Sequence, residues 1–405
     1  MVTNTKLETI KGAEETPSHI YVNMSIINNE TGDVSEDKQP LCQLSETSNG
    51  SILDEAGNYE LSVIKFSMDG VTQFLPALHF YTTTDSIDQG IYSVTLECEK
   101  ELSDGSGKKT FISRQWVEWE PEDETIVQPP NPSDIGSSYY EAHSVTYVVN
   151  LFNIALEKAR SDINTQMDSD PDTGDALEVK APVLSQVEND LVSFTAPVKG
   201  YGISNPVKDE ENWTAYINEN SYNAFKTLPY AKVDEDQGRK FRILVGEQLS
   251  NVLTDLPIVD SSGNEHTELF YSLTQEFASL GSYWSPVESL VLINRGGDLN
   301  INDTFQSTPI RFGDSNFGKS GLNNQNYTES IITEFSIDKS NPRAWTENLL
   351  YTPDKYRWYS LLNTGQVKNI NLQWFWRQRL TGELKELRMP NQSTCHISLL
   401  FRLKQ

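Results

Sequence analysis

Cysteine is nearly absent from the 405-residue sequence: Cys42, Cys98 and Cys395 stand far apart and odd in number. That excludes a disulfide framework and every C-x-x-C metal or redox arrangement. The three read as small buried apolar residues. Nowhere do ~18 apolar residues run together, so no membrane span is expected, and the opening MVTNTKLETIKGAEETPS has no apolar core of signal-peptide length. The expectation is a soluble protein made in a reducing compartment, with sequons such as those at Asn23, Asn29 and Asn302 arising by chance. Basic side chains are also scarce. The 32 Lys and Arg against 58 Asp and Glu leave a net charge of -26, which repels a phosphate backbone and excludes generic nucleic-acid binding by the whole chain. The five histidines, His19, His79, His143, His266 and His396, form no H-x-x-x-H or H-E-x-x-H pair, so no zinc site is expected. A G-x-S-x-G elbow, a Walker loop and a G-x-G-x-x-G after a strand are all missing. No catalytic, cofactor-binding or metal residue is assigned.

The charge that is present is uneven. From Gln366 to Gln405 the basic residues Lys368, Arg377, Arg379, Lys385, Arg388, Arg402 and Lys404 meet only Glu383 and Glu386. This tail is net +5 on a body of -31. It reads first as a strand face with scattered cations and second as a contact for an acidic partner or nucleic acid.

Alternating apolar residues are abundant. Ile20, Val22, Met24 and Ile26 share one face after a polar arm of about 18 residues, the period-2 signature of a half-buried strand. Strands are likewise predicted over Glu60–Asp69, Ala77–Thr83, Ile91–Glu99, Phe111–Trp119, Leu191–Thr195, Phe241–Val245, Ser289–Asn294, Ser330–Ile337 and Tyr356–Leu362. A closing hairpin sets Ile370, Leu372, Trp374 and Trp376 on one face, turns at Thr381-Gly382, and sets Cys395, Ile397, Leu399, Phe401 and Leu403 on one side of the last strand. Helical spacing of Val145, Val148, Phe152, Ala155 and Ala159 predicts one long helix from Tyr140 to Asn164. Short helices are expected over Asn220–Lys226 and Leu269–Leu280. QPPNPSDIGSS, from Gln128 to Ser138, cannot sustain a helix or a central strand and reads as a linker.

Many short strands with few helices predict an all-β fold with a helical insertion, an antiparallel jelly-roll sandwich. The preferred form is a single jelly roll with an elaborated second β domain; a double jelly roll is the alternative. The chain divides into a flexible N-terminal arm (1–18), a β-rich region (19–127), a linker with the long helix and an acidic loop (128–181), a β-rich insertion or second domain (182–328), and C-terminal strands completing a jelly roll (329–405).

One cluster invites a cation: Asp168, Asp170, Asp172 and Asp175 with Glu178, directly after the helix. An EF-hand needs glycine sixth and glutamate twelfth, whereas counting from Asp168 gives Thr173 and Val179, and Pro171 stiffens the middle. A solvated loop is the default reading. Of the eight Trp, Trp116, Trp119, Trp358, Trp374 and Trp376 fall inside strand patterns. Trp374 shares a face with Leu372 and Trp376, so burial is expected over sugar or base stacking.

Several segments together resemble the penton-type minor capsid proteins of polinton-like viruses, virophages and related small double-stranded DNA viruses. They are NYELSVIKFSMDG, YYEAHSVTYVVNLFNIALEKA, WTAYINENSYNAFKTLP, TQEFASLGSYWSPVESLVLI, YTPDKYRWYSLLNTGQVKNINLQWFWRQRLTGEL and ISLLFRLK, in that order from Asn58 onward. The resemblance implies a virion component of an icosahedral shell, assembled in the host cytoplasm or nucleus, with an edge-on jelly roll and, in pentons, five copies closing a vertex. It implies no enzymatic site, self-association as a homopentamer with a trimer as alternative, and contact with a major capsid protein. Genome contact is expected only through the basic C-terminal segment. NRGGDLN is not an Arg-Gly-Asp signature, so no receptor site is assigned. A double jelly-roll major shell protein and a carbohydrate- or receptor-binding β-sandwich are the competing readings.

Overall fold

The alternating run at Ile20 forms β1 (His19–Asn28), in which Ile20, Val22, Met24 and Ile26 point inward. β2 (Gln43–Thr47) and β3 (Tyr59–Asp69) follow. Nine further strands come next: β4 (Gln89–Glu101), β5 (Lys108–Glu118), β6 (Val183–Gln186), β7 (Val192–Pro197), β8 (Glu211–Ile217), β9 (Tyr230–Asp236), β10 (Arg239–Ile243), β11 (Val252–Val259) and β12 (Glu265–Thr274). The chain ends with β13 (Val287–Gly297), β14 (Thr328–Ser336), β15 (Asn348–Tyr351), β16 (Asn369–Gln378) and β17 (Ser393–Leu403). Helix α1 is Val145–Asp168 and α2 is Glu219–Ala224. The structure, a computed structural model, describes residues 6–8, 18–30, 39–69, 75–82, 89–122, 124, 126–130, 134, 136–173, 179–187, 191–201, 211–246, 252–259, 265–277, 285–301, 305–307, 328–336, 348–362 and 365–404.

Two units emerge, the first built from Met1–Pro76 and Pro286–Gln405, the second from Ala77–Ser285. In the first, one sheet runs β1-β17-β3-β15 and the other β14-β13-β16-β2, all pairs antiparallel. Numbering these eight strands 1 to 8 along the chain, the sheets read 1-8-3-6 and 5-4-7-2. That is the strand order of a jelly roll, two Greek keys folded face to face. Its core lies between the sheets, where Phe66 of β3 meets Trp374 of β16 with ring centroids 4.1 Å apart and Phe335 of β14 stacks on Tyr351 of β15 at 4.2 Å. Trp374 is fully buried and Trp376 nearly so, as their shared face predicts.

The second unit enters between the third and fourth jelly-roll strands. Its sheets run β11-β12-β7-β6 and β9-β10-β8-β4-β5. Counted 1 to 9 along the chain, they read 8-9-4-3 and 6-7-5-1-2, so among the described residues this unit does not repeat the jelly-roll order. The molecule is the single jelly roll with an elaborated second β unit, and the double jelly roll is not its architecture. Helix α1 packs on β4, β5 and β6 through Val148, Leu151, Phe152, Ala155, Ala159 and Ile163. Ser144 caps it, its hydroxyl accepting from the Tyr147 amide at 3.2 Å.

Several elements depart from the sequence expectation. Leu269–Leu280 is not a helix: β12 occupies Glu265–Thr274, because flanking strands β7 and β11 satisfy its backbone on both sides. Residues 278–280 lie outside the described residues. The long helix starts at Val145 rather than Tyr140, since Glu141–Ala142 pair with Leu78–His79 before the Ser144 cap. Of the Ala77–Thr83 strand, Leu78–His79 makes that pairing and Thr82 bridges Gly90, while residue 83 lies outside the described residues. Of Tyr356–Leu362, Tyr359–Ser360 pairs with β3. Within the polar arm, Lys6–Glu8 pairs with β1 as an edge strand. The unit borders fall at 76/77 and 285/286, whereas the composition-based partition divides the chain at 127/128, 181/182 and 328/329.

Candidate assembly surface

Strand alternation gives the β1-β17-β3-β15 sheet an outward face that is mostly polar. Ser25, His396, Ser67 and Leu350 form one row across it, Ile27, Thr394 and Asp69 the next. Ser25 Oγ and His396 Nδ1 share a hydrogen bond of 2.6 Å. Leu350 at the edge is 64% exposed. Leu350 on the edge strand and Tyr21 (41% exposed) on β1 are the large apolar side chains that another protein surface could cover here.

The basic C-terminal residues are largely engaged within this unit. Arg402 lies 3.8 Å over the ring of Trp358 and donates to Glu60 at 2.9 and 3.0 Å. Lys404 donates to the carbonyls of Gly57 (2.6 Å) and Leu361 (3.1 Å). Arg388 reaches the Gln39 carbonyl at 3.1 Å, and Lys385 sits 5.0 Å over Trp376. Arg377 is buried and forks onto Glu334 at 2.9 and 3.0 Å, where Ser289 also donates at 2.6 Å. Burial pushes the Glu334 carboxyl up, but the bonds from Arg377 and Ser289 outweigh it and hold the group below its usual value. A fork between guanidinium and carboxylate fixes geometry as well as charge.

NRGGDLN is not a free loop. It is the bulged end of β13, paired with β16 through a register shift between Asn294 and Gly297. Gly297 has φ +81°, and a Cβ there would lie 2.8 Å from the Asn369 carbonyl oxygen. Arg295 covers Phe375 at 4.9 Å, and Asp298 accepts from the amides of Lys368 and Asn369 at 2.7 and 2.8 Å.

In the second unit, Trp116 is 37% exposed, yet Arg114 lies 4.1 Å over its ring. Trp116 and Trp358 thus both carry a guanidinium where a sugar or base would stack. Beside Trp116, Lys158 of α1 donates to Glu118 at 2.6 Å and Ile154 remains exposed. Phe277 is 69% exposed, while its backbone is fixed by Thr227, whose hydroxyl donates to the Phe277 carbonyl at 2.8 Å and accepts from its amide at 3.2 Å. An exposed aromatic ring on a backbone that is already ordered would lose little conformational freedom on being covered, which suits it to a subunit contact.

The Asp-rich cluster after the helix, weighed as a cation site against a solvated loop, is described only as far as residue 173. Asp170 is paired with Lys109, whose hydrogen bond lowers its carboxyl, while Asp175 and Glu178 lie outside the described residues. No group of three or more His, Cys, Asp or Glu suited to a metal is found among the described residues. Sequence reading did not anticipate the buried pair Lys100–Glu211, 3.1 Å apart, with Glu211 also accepting from Trp213 Nε1 at 3.0 Å. The signal was present, because continuing the inward alternation Tyr92, Val94, Leu96, Cys98 brings Lys100 to the core face.

The model of the Sputnik minor capsid protein V18/19 family matches residues 20–403. The chain belongs to this family. As a Sputnik-type minor capsid protein it is a structural component of the virion. No individually curated protein matches the sequence. Solved structures share its fold, among them a virophage chain and a penton protein. A chain of the Sputnik virophage, determined by cryo-electron microscopy at 3.5 Å, matches with TM-score 0.65 and 19% identity over 96% of this chain and 99% of that one. The mavirus penton protein matches with TM-score 0.56 and 14% identity over 96% of this chain and 100% of that one. For a minor capsid protein, the outward sheet face, Leu350 and Phe277 are candidate subunit contacts.

Proposed function

We propose that five copies of this minor capsid protein close a vertex of an icosahedral shell, with the jelly roll seated among major capsid subunits and the second unit turned away from the genome. The carrying observation is the near full-length family match together with the single jelly-roll strand order. Charge supports the orientation. Ala77–Ser285 holds 35 acidic and 14 basic residues, net -21, against 23 and 18, net -5, in the rest of the chain. A domain with that excess is repelled by packaged nucleic acid. The role is non-enzymatic, and the basic C-terminal segment serves internal bonds rather than DNA, because Arg377, Arg402, Lys404 and Arg388 have protein partners. A closed ring requires a heterologous contact repeated around the axis. Electron imaging of assembled particles tests the reading: density for this chain on the fivefold axes, with the acidic unit away from the genome, is expected. Density on threefold positions, or the acidic unit facing the interior, overturns it.

A further inference from the structure

Two of the three cysteines, Cys42 and Cys395, lie in the jelly-roll core. Cys395 sits in β17 of one jelly-roll sheet, in the row of Ile26 and Met68, and Cys42 directly precedes β2 of the facing sheet. The Cys42 carbonyl accepts from the Trp374 amide at 3.0 Å, and Trp374 packs on Phe66, one inward row along from Cys395. Both cysteines are free and wholly buried in the same core, on inward positions of the two facing sheets. Cys98 is elsewhere, in the core of the second unit.

We propose that Cys42 and Cys395 are an oxidisable pair that forms a disulfide between the two sheets once the protein is outside a reducing cell, locking the jelly roll. The oxidant is a low-molecular-weight disulfide of the glutathione class. One thiolate attacks a sulfur of that disulfide and expels a thiolate, which takes up the proton the cysteine lost. The second cysteine, deprotonated in turn, attacks the mixed disulfide and expels the other small thiol. One protein disulfide forms, one small disulfide is reduced to two thiols, and electrons balance. Virion surfaces are among the settings in which disulfides persist, whereas the cytosol keeps thiols reduced. Burial, with Cys42 alongside, pushes the Cys395 thiol well above its ordinary value, so little thiolate exists while the core is closed. The pair stays reduced during folding and reacts slowly, through local opening. The resulting bond ties residue 42 to residue 395 and encloses the whole second unit. The bond lies within the jelly-roll core and does not depend on which symmetry axis the protein occupies.

The test uses full-length reduced protein in sub-denaturing guanidinium, so that access is not limiting, with and without oxidised glutathione. After full denaturation, free thiols are alkylated and counted by intact mass, and the link is mapped by peptide mass spectrometry. The expected result is a fall from three alkylated thiols to one, on Cys98, with a Cys42–Cys395 peptide. Cys42→Ala and Cys395→Ala should each show no intramolecular link. The oxidised form should unfold roughly tenfold or more slowly than the reduced one. Three surviving thiols, glutathione adducts without a link, a link through Cys98, or equal unfolding rates in the linked and reduced forms would overturn the proposal.

Discussion

Lys100 and Glu211 form the most deeply buried ion pair among the described residues, their side chains 2% and 0% exposed. Removing one partner strands the other in an apolar core. Lys100→Met should lose about 3–5 kcal/mol of stability in chemical denaturation. Lys100→Met combined with Glu211→Gln should recover most of it, because the neutral amide introduced by the second substitution can still accept from Trp213 Nε1. Glu334 makes a pH-dependent contribution. Its folded-state value lies below the ordinary 4.5, so its stabilisation is present above about that pH and is lost as pH falls through the depressed value. The advantage of the native protein over Glu334→Gln in denaturant midpoint should therefore be clear near neutrality and vanish in strong acid, with about pH 7 and about pH 2 as the comparison.

At the scale of elements, α1 shows how local and tertiary terms combine. Its apolar stripe is readable from spacing, while its start is decided by the Ser144 hydroxyl and by Glu122, which accepts from the amides of His143 and Ser144 at 2.6 and 3.1 Å. Ser144→Ala should cost about 1 kcal/mol, read as a lowered thermal midpoint. β12 shows the converse. Leu269, Tyr271 and Leu273 alternate, but Phe270 between them blurs the pattern, and the segment is short enough to pass for a helix turn. Pairing on both edges decides it, and pairing partners distant in sequence, such as Phe194 for Leu273, are invisible to a local window.

For the whole molecule the governing quantities are strand order and charge. Copies of net charge -26 repel one another over distances comparable to the Debye length, which is ~10 Å at 0.1 M salt. Self-association of the purified protein should therefore strengthen as monovalent salt rises from about 0.02 to 0.3 M, as sedimentation velocity would show. A complex held by ion pairs between subunits would weaken instead.

Sequence alone determined the strand-rich class, the long amphipathic helix, the burial of Trp374 and Trp376, and the excess of acid, because periodicity and net charge are one-dimensional properties. Tertiary structure decided which strands pair, and with them the jelly-roll order, the unit borders at Pro76 and Ser285, the fate of the C-terminal cations and the placement of Cys42 and Cys395 in one core. Each of these depends on residues brought together from distant parts of the chain. Burial of a shared core selects such partners, and no local preference encodes them.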